Sequence, residues 1–117
     1  MTELEEQRLE KAQKIKNGLE VSLNTALVQM SLLGHQHAFC EEIVQHDISE
    51  INLAEKHPAY KPEKPVEELK KDADWMWDAQ KKLSEEAMDL DVLIKALEDA
   101  IEAAEIYEKR FLERKYE

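Results

Sequence analysis

Residues 32–46 read LLGHQHAFCEEIVQH and bring His35, His37, Cys40, Glu41, Glu42 and His46 into one short stretch. Imidazole, thiolate and carboxylate groups together can bind zinc or iron. A thiol beside an imidazole can also act as a nucleophile. The spacing decides between these and a plainer role. On a helix, residues two apart point about 160° away from each other, so His35 and His37 cannot converge on one ion. His46 lies near the His35 side. His37, Cys40 and Glu41 share a face, and in a hairpin folded near residue 61 that face lies opposite Glu85 or Glu86. No CxxC, HExxH or paired ExxH motif accompanies them. We therefore assign no metal site; His37, Cys40, Glu41 and Glu85 form the set that comes nearest to one. The plainer reading is a semi-polar layer at a helix seam, of the kind that sets register in bundles. Cys40 as a nucleophile would need an oxyanion-stabilising nest, which no glycine-rich loop supplies. Catalysis and a bound cofactor are not expected.

The elements that position these residues follow from the rest of the chain. Of 117 residues, 37% are charged and only two are glycine, a composition of long helices. The length fits a single helical domain over 1–117. The breaker cluster is HPAYKPEKP, residues 57–65. Pro58, Pro62 and Pro65 cannot sit inside a helix without losing hydrogen bonds, and the residue before each is pushed toward extended backbone. Pro65 suits the start of a new helix, with Glu67 and Glu68 complementing its dipole. Helices are expected over about 3–56 and 66–115, each roughly 75 Å long.

Stepping at roughly 100° per residue, Ala12, Ile15, Leu19, Leu23, Ala26, Met30, Leu33, Val44, Ile48 and Ile51 share one stripe of the first helix. Its phase holds through Gly18 and Gly34, which favours one long helix over three shorter ones. In the second helix Val66, Leu69, Ala73, Met76, Gln80, Leu83, Ala87, Leu90, Ile94, Leu97, Ile101 and Ala104 alternate in steps of three and four, and Phe111 rejoins beyond Glu108. That 3.5-residue repeat implies a left-handed coiled coil. The expected fold is all-α, an antiparallel helical hairpin of two long helices assembling into a four-helix bundle or coiled coil.

Assembly is expected because apolar residues remain after the seam is filled. Val21, Val28, Leu32 and Phe39 form a second stripe on the first helix, opposite the seam. Trp75, Ala79, Leu93, Ala100, Tyr107 and Phe111 widen the second. Apolar patches of this kind mark interfaces, and Trp75 and Trp77 are of a type enriched at binding hot spots. Val21, Val28, Leu32, Phe39, Trp75, Trp77 and Leu93 are thus the candidate partner-binding residues, with a homodimer as the first partner and another protein, a basic one included, as the second. The competing arrangement folds the chain on itself as three or four short helices, burying both stripes.

The net charge is −11, which excludes binding nucleic acid by phosphate neutralisation and disfavours anionic lipid. Residues 84–108 hold nine acids and one lysine. Asp91, Glu98, Glu102 and Glu105 offer a negative surface that a basic nucleic-acid-binding protein can accept, so a small acidic inhibitor or nucleic-acid mimic is the alternative function. A solvated face is the simpler account, since Lys95 and Lys109 are placed to pair with Asp91 and Glu105. A metal-binding bundle is the third. A single cysteine, no apolar leader and no span of roughly 20 apolar residues point to a soluble, cytoplasmic protein without a membrane partner.

Overall fold

The computed structural model of the protein describes residues 2–115. Two helices account for nearly all of it: α1 (Glu3–Lys56) and α2 (Val66–Lys115). They pack against each other as a hairpin, and no strand occurs among the described residues. Thr2 caps α1: its side-chain oxygen accepts a hydrogen bond from the Glu5 amide at 3.2 Å, satisfying one of the orphan donors of the first turn. Glu3, Glu5 and Glu6 then favour the positive end of the helix dipole.

The prolines end α1 as expected. The His57 amide donates to the Leu53 carbonyl at 2.9 Å, and no helical bond follows. Pro65 sits one residue ahead of α2. Its carbonyl accepts hydrogen bonds from the amides of Glu68 and Leu69, both at 3.0 Å. A proline serves there because the position needs an acceptor and not an N–H. The Tyr60 hydroxyl donates to Glu50 Oε2 at 2.6 Å and ties the connection to α1.

The chain divides into two compact units. The first joins the part of α1 up to Met30 with the part of α2 from Asp89 onward. Its buried apolar residues are Ala26, Ile94 and Phe111. Phe111 also stacks at a tilt on Tyr107, with ring centroids 4.8 Å apart. The second unit, Ser31–Met88, buries Leu33, Cys40, Val44 and Leu69, together with the carboxylate of Asp47.

Every seam position expected on α2 is buried or half-buried, Gln80 and Glu108 included. On α1 the seam is also a 3.5-residue repeat, running 9, 12, 16, 19, 23, 26, 30, 33, 37, 40, 44, 47, 51 and 54. This corrects the α1 stripe at two places. Ile15 and Ile48 flank the seam and are exposed, while Lys16 and Asp47 occupy it. The cause is supercoiling. A straight 3.6-residue helix brings residue 48 back under residue 12, but a 3.5-residue seam drifts about 20° per heptad from that line, or about 100° over this span. Ile48 is 41% exposed where Val44 is 3% exposed. Gly18 and Gly34 break nothing: α1 passes through both, which removes the arrangement of three or four short helices.

Candidate interaction surface

The chemistry-bearing residues of the opening stretch are split by the seam. In the second unit His37 and Glu41 line a groove with Trp77, Gln80 and Ser84. Cys40 opens instead on the groove lined by His35, Phe39, Ala79 and Leu83. Glu85 is exposed, two positions beyond seam residue Leu83 and thus turned outward on α2. The face that His37, Cys40 and Glu41 share on a helical wheel is divided once α2 lies along it. Among the described residues, no three His, Cys, Asp or Glu side chains are placed to hold one ion.

Polar groups make contacts that hydrophobic patterning did not reveal, and those of Glu108 cross from one helix to the other. In the first unit Glu108 accepts hydrogen bonds from Gln13 Nε2 at 3.0 Å and from Lys16 Nζ at 3.2 Å. Both partners hold the Glu108 carboxyl below its ordinary range, with Gln13 the larger cause. The bond to Glu108 raises Lys16 in turn. In the second unit Asp47 reaches His46 Nδ1 with Oδ1 at 3.5 Å, while its buried Oδ2 has no hydrogen-bond partner. Lys64 closes on Asp72 at 3.2 Å, which raises the lysine. Glu50 raises Tyr60 by accepting its hydroxyl proton in a hydrogen bond.

The candidate partner-binding residues are all on the surface. In the first unit these are Val21, Val28 and Leu93; in the second, Leu32, Phe39, Trp75 and Trp77. Val28 is 70% exposed and Trp75 is 68% exposed. Of the residues expected to widen the α2 face, Phe111 is buried and Ala79 and Ala100 are half-buried. Ala79 and Ala100 are flank positions beside the seam, and Phe111 is itself a seam position. Leu27, Met88, Val92 and Ile106 are exposed apolar residues that the stripes omitted. Val92 and Ile106 stand two heptads apart, and that spacing was the available signal. No large side chain is fully buried among the described residues.

The acidic residues Asp91, Glu98, Glu102 and Glu105 are exposed. Asp91 pairs with Lys95 at 3.4 Å as the i,i+4 spacing implies. Among the described residues, no helix is long and apolar enough to cross a membrane.

No family model matches the chain, and neither a curated protein nor a solved structure matches it.

Proposed function

We propose that the chain is a non-catalytic helical-hairpin interaction protein, adaptor-like or regulatory, that associates with itself and engages a second protein. One observation carries this reading: the apolar side chains left uncovered. Val21, Val28, Leu32, Phe39, Trp75, Trp77, Met88, Val92 and Leu93 are all exposed, and clustered apolar side chains left in water mark an interface. Val28, Phe39 and Leu32 supply the large side chains such an interface needs.

Trp75 and Trp77 are the surface proposed for the second protein, since buried tryptophans dominate binding energy. The acidic residues from Asp91 to Glu105 favour a basic one. A cytoplasmic setting belongs to the same reading and rests on the one free cysteine, Cys40.

Multi-angle light scattering of the purified chain tests self-association. A dimer or larger species is expected, and Val28→Glu is expected to shift it to monomer with helical circular dichroism retained. A monomeric wild type at about 100 μM would overturn the reading, because a stable interface that covers these side chains holds at lower concentration.

A further inference from the structure

We propose that a second copy of this chain docks along the outward face of α1, antiparallel, about a two-fold axis that crosses α1 between Val28 and Leu32. This rests on the self-association proposed above and adds its site, orientation and register. The first support is a second heptad repeat. The exposed positions 18, 21, 25, 28, 32, 35 and 39 recur in alternating steps of three and four, the spacing that makes a coiled-coil seam, and four of them are the apolar Val21, Val28, Leu32 and Phe39. They lie opposite the inner seam and keep phase with it, because α1 is one helix wound to 3.5 residues by its packing on α2.

The second support is charge. Residues 17–40 contain a single charged residue, Glu20, in a chain that is 37% charged. Depletion of charge, with apolar side chains left exposed, is the compositional signal of an interface core. Beyond this window the ends of α1 differ in charge. Glu3, Glu5, Glu6 and Glu10 balance Arg8, Lys11, Lys14 and Lys16, so residues 3–16 are net neutral, with the four bases gathered at 8–16. Glu41, Glu42, Asp47, Glu50 and Glu55 against Lys56 make residues 41–56 net −4. A parallel pair stacks the acidic end on itself, whereas an antiparallel pair sets it beside the segment that carries the bases.

Register follows from the same residues. In antiparallel heptad packing a position entered by a three-residue step faces one entered by a four-residue step. One register keeps all six central positions inside the uncharged window: Val28 against the partner's Leu32, Thr25 against the partner's His35, and Val21 against the partner's Phe39. Lys14 then lies within about one turn of the partner's Glu42. Sliding one heptad sets Phe39 against the partner's Lys14; sliding the other way sets Val21 against the partner's His46. Both bury charge or imidazole beside an apolar side chain without a partner.

Single-cysteine variants in a Cys40→Ala background test this. Val21→Cys and Phe39→Cys proteins, differently tagged, are mixed and equilibrated in a glutathione redox buffer. The disulfide between the two different variants is expected to dominate, with little dimer from either alone. Val21→Cys that cross-links chiefly to itself would overturn the antiparallel arrangement. Dimers by light scattering with no disulfide at either position would overturn docking on α1 and leave self-association standing; a wild-type monomer would overturn both. Carbodiimide coupling of mixed isotopically light and heavy wild-type chains needs no variant. It is expected to join Lys14 of one copy to Glu42 of another, and a dimer without links between the bases at 8–16 and the acidic end of α1 would count against the pairing.

Discussion

Lys16 Nζ lies 3.2 Å from Glu108 Oε2, each at a seam position of its own helix. With Gln13 Nε2 on the other oxygen at 3.0 Å, both carboxylate oxygens of Glu108 have a partner. A half-buried polar layer of this kind fixes which turns of two helices face each other, because a slipped register leaves its groups unpaired.

The pair predicts a pH dependence. Glu108 is shifted down in the folded protein, so it contributes stability above its unfolded pKa and loses it as pH falls through the folded value. Lys16 is shifted up, so its contribution is complete below its unfolded pKa and lost as pH rises through the folded value. Glu108→Gln is expected to lower the melting temperature at neutral pH and to flatten the acid limb below the ordinary carboxylate range. Melting followed by circular dichroism across pH 3–11 checks both; an unchanged acid limb would remove this role.

The supercoiled seam predicts unequal costs for similar truncations. Ile94, 6% exposed, is expected to cost about 2–5 kcal/mol on truncation to alanine. Ile48→Ala, outside the seam, is expected to cost under about 1 kcal/mol. Urea unfolding of the two variants makes the comparison. Equal losses would place Ile48 back in the core.

Asp47 Oδ2 is buried without a hydrogen-bond partner, at a seam position where an apolar side chain would pack. A group of this kind costs about 1–3 kcal/mol in desolvation. Asp47→Leu is expected to raise the unfolding free energy, as read by denaturant titration. A loss would mean that the carboxylate is satisfied in solution.

A Cβ built on Gly34 meets nothing within 4 Å. Gly34→Ala is therefore expected to stabilise α1 by about 0.5–1 kcal/mol through helix propensity alone, visible as a higher melting temperature. Destabilisation would show that something packs closely there in solution.

Much of the fold was legible from residue types. Pro58, Pro62 and Pro65 placed the connection because a ring nitrogen cannot donate. The α2 seam from Val66 to Phe111 was legible because its spacing is regular enough to show the 3.5-residue period directly. The α1 seam was less so. Between Leu33 and Val44 its positions carry His37 and Cys40, and at two further positions Lys16 and Asp47, so apolarity alone drew Ile15 and Ile48 into the stripe. The separation of Cys40 from His37 and Glu41 could not be read from a wheel, because it depends on where α2 lies.

The sequence alone determined what local physics controls: where helix must stop, how many helices there are, which face of α2 is apolar, and that α1 carries apolar residues on two faces. Each follows from the dihedral and hydrogen-bonding limits of single residues or from spacing along one chain. Only the tertiary structure decided which polar side chains meet across the seam, that Asp47 is buried, and on which flank each group opens. Those depend on the winding of one helix about another, a drift of about 20° per heptad that no single helix contains.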